Sequence, residues 1–360
     1  MLIYVCNSAH GYGHGSRTAA VLCELATRRP DWRLVLSTAL PSDFLTLAYG
    51  PVAIEHRPCR WDVGVIQADA LGSDPGATLA ALAALEASLP AQLEREARWL
   101  QEQVEPVLIL GDVPPAAALL ASRIKAPLVW LASFGWDAIY RPMGEAFQPW
   151  AEQAEALYRQ GDRLIACPLA MPFDWHLPTT RIGLTAGRPR HDPEMLRRRL
   201  NLPEDRQRCV LVSFGGLGLA IPPELFARWP QQVFIGPEPS LEGLANGRRL
   251  PPDLRPLDLM PLCDRLITKP GYSSFCEAIS QGLSIHAVHR DGFAEAAVLE
   301  AALQRSGRHR LLSQKQLRSG DWQLDLEPLE PSGPRLDDQG ALEAAMLLER
   351  WADGWLLHGG

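Results

Sequence analysis

Short apolar runs followed by longer helical patterns recur along the chain, and this alternation constrains the fold more than any other feature. Residues 2–6, 34–38, 107–110, 128–133 and 163–167 read as strands, with helical patterns at 18–28 and 78–103 among them. A second series follows, with strands at 209–213, 233–235, 265–268 and 285–288 and helical patterns at 223–229, 273–281 and 295–305. The runs are mostly apolar rather than strictly alternating, as in strands covered on both faces. Strands separated by helices pair in parallel. The expectation is an α/β protein built on parallel sheets.

The series breaks once. Residues 168–193 carry Pro168, Pro172, Pro178, Pro189 and Pro193 with Gly183 and Gly187, a composition that suits a connector. The 360 residues suffice for two domains. We expect a first domain at 1–170, a linker at 171–192, a second domain at 193–337 and an amphipathic terminal helix at 338–360 that returns to the first domain.

Composition narrows the function. A net charge of −7 provides no broad basic face for nucleic acid. No apolar run reaches the length of a membrane span, and residues 2–6 read as a buried strand rather than a signal peptide. Within 78–103, Glu86, Glu94, Arg95, Glu96 and Arg98 interrupt the apolar face, so a packed helix is expected there rather than an anchor. The seven cysteines include no CxxC spacing. They are expected to be reduced core thiols of a cytoplasmic protein, without structural zinc. No DxD-like pair follows a strand, and no metal requirement is expected.

Three motifs carry chemistry. The first, Ala9-His10-Gly11-Tyr12-Gly13-His14-Gly15-Ser16-Arg17, joins the first strand to the first helix. Its glycines allow close approach of a ligand, and helix N–H groups favour a polar or anionic one. The dinucleotide fingerprint is not met, because Ser16 stands where its last glycine or alanine would be. Two histidines in such a turn, at the carboxyl edge of a sheet, mark His10, Gly13 and His14 as site candidates. The second, Ser213-Phe214-Gly215-Gly216-Leu217-Gly218, repeats the arrangement in the second domain. The third, Thr268-Lys269-Pro270-Gly271-Tyr272-Ser273-Ser274-Phe275-Cys276-Glu277, places hydroxyls and amides at a helix start, which suits a diphosphate. Glu277, about one turn in, is placed to accept from ribose hydroxyls. His289-Arg290-Asp291-Gly292-Phe293-Ala294-Glu295 follows another strand and offers Asp291 and Glu295 to a polyhydroxyl ligand.

With these stretches, Gly111–Pro114 and Ser133–Tyr140, the sequence resembles glycosyltransferases of the GT-B type, with two Rossmann-like domains whose parallel sheets face a central cleft. It is similar to the peptidoglycan N-acetylglucosaminyltransferase family, to plant UDP-glycosyltransferases and to the glycosyltransferase-like N-terminal region of L-arabinokinases. The matching stretches run nearly end to end. No sugar-kinase segment follows them, so kinase activity is not expected.

The resemblance implies that the second domain holds a nucleotide sugar, with UDP the expected nucleotide. Gly215, Gly216, Lys269, Gly271, Ser273 and Ser274 would lie at the diphosphate, Glu277 at the ribose, and Asp291 and Glu295 at the sugar. In the first domain His14 would be the base, oriented by Asp112, with His10, Gly13, Trp136 and Asp137 at the acceptor. No resident cofactor is implied. Many retaining relatives place a glutamate eight residues before the ribose-binding one; Lys269 stands there, which favours inversion. Three departures stand out: Phe214 replaces a serine or threonine before the glycine pair, Gly292 an aromatic residue, and Ala296 a second acid after Glu295. Two other readings fit the same architecture, a UDP-sugar epimerase and a non-catalytic nucleotide-sugar-binding protein. A lipid acceptor would bring the first domain into peripheral membrane contact, although no basic cluster marks such a face.

Overall fold

The computed structural model describes residues 1–67, 72–215 and 218–358, so Gly216 lies outside the described residues. Two compact units emerge. The first comprises Met1–Ile66, Ser73–Thr185 and Asp337–Gly360, and the second is built on Ala186–Leu336.

Among the described residues, the first unit holds seven strands: β1 (Leu2–Asn7), β2 (Arg33–Thr38), β3 (Glu55–Pro58), β4 (Val107–Asp112), β5 (Leu128–Ala132), β6 (Arg163–Ala166) and β7 (Thr179–Arg181). They form one sheet in the order β3-β2-β1-β4-β5-β6-β7, and every pairing is parallel. The second unit holds β8 (Cys209–Val212), β9 (Val233–Gly236), β10 (Gly247–Arg249), β11 (Arg265–Thr268), β12 (Ser284–Val288) and β13 (His309–Leu312). Their order is β10-β9-β8-β11-β12-β13, again all parallel. β1 and β5 are buried at every position, as continuous apolar runs require.

Each sheet reverses its strand order once, between β1 and β4 in the first and between β8 and β11 in the second. At such a switch the loops leave in opposite directions and open a crevice at the carboxyl ends of the two strands. The register is Asn7 beside Asp112 at one switch and Val212 beside Ile267 at the other.

Several boundaries differ from those read in the sequence. Four strands were not expected: β3, β7, β10 and β13, which are the four sheet edges. Their sequences, Glu-His-Arg-Pro, Thr-Thr-Arg, Gly-Arg-Arg and His-Arg-Leu-Leu, lack the apolar run of a strand covered on both sides. β7 lies within the segment expected as linker, and the first unit extends to Thr185. The first helix runs Tyr12–Arg28, so the glycine-rich segment forms its first turn and places His14 on it.

The terminal helix Gly340–His358 packs in the first unit against the helix Tyr12–Arg28. Ala344, Ala345, Leu348 and Ala352 are fully buried. Arg28 pairs with Glu349 at 2.6 Å and Arg29 with Asp353 at 2.9 Å. In the second unit Phe214, Phe226, Phe234 and Trp322 lie in one core cluster with the strand side chains. All seven cysteines are free thiols, six of them buried. Among the described residues, no helix is long and apolar enough to cross a membrane.

The centre of the first sheet depends on an absent side chain. Trp130 on β5 is fully buried, with its indole N–H donating to the Tyr158 carbonyl at 2.9 Å. A Cβ on Gly111, in the neighbouring strand β4, would stand 2.2 Å from Trp130 Cζ3. Gly111→Ala is therefore expected to destabilise the protein by about 1–3 kcal/mol or more through overpacking. Urea unfolding monitored by tryptophan fluorescence checks this.

Candidate active site

The switch point of the first sheet gathers a polar cluster around one carboxylate. Asp112 ends β4 and is completely buried. Its Oδ1 lies 2.9 Å from His14 Nδ1. Its Oδ2 accepts from Arg17 Nε at 3.0 Å and from the Thr18 hydroxyl at 2.6 Å. Arg17 Nη2 also donates to Oδ1. His14, Arg17 and Thr18 are three and four residues apart on the first turns of one helix, so they share the face turned toward β4. Arg17 Nη1 continues to the Ser133 hydroxyl after β5 at 2.8 Å, which joins three strand ends.

Burial alone would raise the Asp112 carboxyl. The Arg17 charge and the hydrogen bonds from His14 and Arg17 outweigh it and hold the carboxyl at about 2, against an ordinary 3.8. Asp112 is thus ionised and can only accept, so the proton between it and His14 resides on Nδ1. Among the described residues nothing donates to Nε2. His14 is 7% exposed, enough to place it at the margin of the core rather than within it.

A second buried carboxylate, Asp62, lies near enough to His14 to interact with it electrostatically. Asp62 is buried, accepts from Trp136 Nε1 at 2.8 Å and is bonded by the Ser8 hydroxyl. Burial pushes its carboxyl up, and the hydrogen bonds from Ser8 and Trp136 draw it back in part. Trp136 lies edge-on to His10 at 5.2 Å and 6.4 Å from the His14 ring, stacked on Tyr140. His10 is half-buried, and its side chain fills the space where a Cβ on Gly64 would be, 2.4 Å from Nδ1. Gly13 is on the same exposed turn. Asp137 points elsewhere: it is buried and accepts from Trp175 Nε1 at 3.2 Å. His10, His14, Trp136 and Asp112 are therefore one cluster, and Asp137 is apart from it.

Sequence reasoning did not single out Arg17, Thr18, Ser133 or Asp62. The helical spacing of His14, Arg17 and Thr18 was a usable signal for the first two. Asp62 sits in an irregular segment after β3, where no periodicity points to it.

In the second unit the switch point lies between the loops after β8 and β11. Gly215 has φ +78°, and a Cβ there would lie 3.9 Å from Lys269 Cε, so the lysine stem reaches over the glycine turn. The helix Tyr272–Ser280 starts at Gly271 with no side-chain cap. Ser273 and Ser274 fall on its first turn, the former buried and the latter half-buried. Glu277 is half-buried, and among the described residues no group donates to its carboxylate. The dense surroundings push that carboxyl up to about 7, only partly offset by Arg255. Asp291 and Glu295 have different settings. Asp291 is exposed and bonded by His289 Nε2 at 3.1 Å and Gln314 Nε2 at 3.2 Å, whereas Glu295 is buried. Phe214 fills the second unit's core, and Ala296 is buried as well, where an acid would be desolvated. Among the described residues, no group of three or more histidine, cysteine or acidic side chains is arranged to hold a metal ion.

This architecture, two parallel sheets flanked by helices, is the GT-B glycosyltransferase fold. The chain superposes on UGT89C1 of Arabidopsis thaliana solved with UDP-L-rhamnose with a TM-score of 0.63 and 14% identity, covering 100% of this chain and 95% of that one. For a UDP-glucosyltransferase from Polygonum tinctorium capable of glucosylating indoxyl, the TM-score is 0.61 at 15% identity, over 98% and 94% of the two chains. For the glycotransferase of kitacinnamycin it is 0.62 at 18% identity, over 97% and 98%. In sequence the chain is 26% identical to L-arabinokinase of Arabidopsis thaliana over 304 residues, 82% of this chain and 29% of that protein. It therefore spans less than a third of that relative. No family model matches the chain.

The Asp112 cluster yields a test of its energetics. Arg17→Met leaves a buried carboxylate without its cation and is expected to cost about 3–5 kcal/mol. Arg17→Met with Asp112→Asn should recover much of that loss, as read from chemical denaturation. A carboxyl depressed in the folded state stabilises fully above its unfolded value of 3.8, and that contribution disappears as pH falls through about 2. Wild type should lose on the order of 2 kcal/mol across this window that the double variant does not.

Proposed function

We propose that the protein transfers a sugar from a UDP-sugar to an acceptor hydroxyl, with inversion at the anomeric carbon. The observation that carries this reading is the imidazole of His14, locked through Nδ1 to an ionised, buried carboxylate at a sheet switch point. Its Nε2 lone pair is left for a proton. A protein that only bound nucleotide sugars would have no use for such a base. The fold shared with UDP-sugar enzymes and the uncapped helix at Gly271 supply the donor half of the reading.

The chemistry follows from those groups. The acceptor oxygen attacks the anomeric carbon while its proton passes to His14 Nε2. The bond from that carbon to the β-phosphate oxygen breaks, and its electron pair leaves on UDP. Asp112 keeps the imidazole in the Nδ1–H tautomer and stabilises the imidazolium, and Arg17 keeps Asp112 ionised and in place. On the donor side the amides of the Tyr272–Ser280 helix and Lys269 meet the growing charge of the leaving diphosphate. Glu277 takes the ribose hydroxyls, and a resident cofactor is not required.

The decisive assay presents UDP-sugars with hydroxyl acceptors and measures UDP release and the anomeric configuration of the product. His14→Ala should lose about 10²–10⁴-fold in turnover while donor affinity persists. Unchanged turnover would remove His14 from its role. A donor whose sugar is interconverted without any acceptor would instead favour epimerisation.

Donor binding should also depend on pH through Glu277. Its carboxyl, raised to about 7, is ionised above that pH and protonated below it. If only the ionised form accepts from the ribose, affinity for UDP should weaken by up to about tenfold per unit below pH 7. Calorimetric titrations at pH 6 and 8 check this, and Glu277→Gln should flatten the difference.

A further inference from the structure

Arg290 follows β12 and is 6% exposed, yet its Nε and Nη2 have no hydrogen-bond partner among the described residues. Its guanidinium lies 4.3 Å from the centre of the Phe293 ring, and Glu295 is the charge that offsets it. Neither contact supplies an acceptor for those two donors. A buried cation with unmade hydrogen bonds is costly, and an arginine fork matches the oxygens of a phosphate or carboxylate better than any other side chain.

The topology says which ligand could satisfy it. β12 pairs with β11 in the register Thr268 beside Ala287, so the loop after β12 borders the Lys269–Gly271 turn at the same sheet edge. β11 in turn pairs with β8, whose loop carries Gly215. Arg290 thus stands third in a row of loops whose first two flank the switch point.

We propose that Arg290 is an oxyanion-recognition residue of the donor site, taking an oxygen of the bound nucleotide sugar through Nε and Nη2. The inference rests on the donor-site reading above. Phe293 packs on the guanidinium and is itself buried, with Gly292 at φ +71° in the turn before it. The oxyanion has two possible sources on such a ligand, the diphosphate or a carboxylate on the sugar itself.

The experiment titrates full-length wild type, Arg290→Gln and Arg290→Lys with UDP, UDP-glucose and UDP-glucuronic acid by calorimetry, with circular dichroism confirming folding. Loss of a charge-assisted bond should weaken binding by about tenfold to a hundredfold. An equal loss for all three ligands assigns the diphosphate, and a loss confined to UDP-glucuronic acid assigns the sugar carboxylate. Folded Arg290→Gln that binds all three as wild type does overturns the inference. Arg290→Lys keeps the charge and removes the fork, so if the glutamine variant does not fold, a lysine variant with wild-type affinity overturns it equally. Wild type that binds none of the ligands rejects the donor-site reading itself, a separate outcome.

Discussion

A single buried negative charge organises the first unit. Asp112 has no contact with solvent, and an isolated carboxylate there would protonate or unfold its surroundings. It survives ionised because one helix presents a guanidinium, an imidazole and a hydroxyl to it, at His14, Arg17 and Thr18. That requirement fixes the rotation of the helix about its axis and its depth against β4. The tautomer of His14 follows from the same bond. Position and orientation of the imidazole are thus consequences of one desolvated charge, with Arg17 as the group that makes the charge tolerable.

The surrounding packing supports the same arrangement through aromatic side chains. The Tyr158 hydroxyl donates to the Val113 carbonyl at 2.7 Å and accepts from the Trp136 N–H at 3.1 Å. It ties the loop after β4 to the loop after β5. The Tyr158 ring stacks on Trp175 at 4.0 Å and lies edge-on to Trp130. Trp136 in turn holds Asp62 by a hydrogen bond from its indole N–H. The tryptophans of this unit therefore act on the chemistry through geometry: they hold the strand ends that hold the charges.

Much of this was legible in the residues, and the parts that were not share a physical cause. Central strands announced themselves because a strand covered on both faces must be apolar throughout. The edges β3, β7, β10 and β13 are short and polar and read as loop. The proline-rich stretch that looks like a pure connector holds β7 for that reason. Proline and glycine bound such a strand without forbidding it. Motif spacing singled out His14 and Glu277, and the family resemblance singled out Asp112. It could not place Asp62, which reaches the site through an irregular segment, nor separate Asp137 from Trp136, whose side chains diverge from adjacent positions. Which way a side chain turns at a strand end depends on partners distant in sequence, such as Trp175 for Asp137.

The two switch points handle charge in opposite ways, and the contrast bears on what each half could do. At the first, a carboxylate is buried with a full complement of donors, so it stays ionised and rigid whether or not a ligand is present. At the second, Glu277 and Arg290 are left with capacity unspent: a carboxyl raised to about 7 to which no described residue donates, and a guanidinium whose Nε and Nη2 lack acceptors among the described residues. Satisfied groups hold a fixed geometry, as a base must, whereas unsatisfied ones gain most from a partner that supplies what the protein withholds. A ligand bearing both hydroxyls and oxyanions would complete both groups at once. Under the proposed function, the half with unspent capacity is the one that would take the nucleotide sugar, and the satisfied half the one that would hold a fixed geometry toward the acceptor.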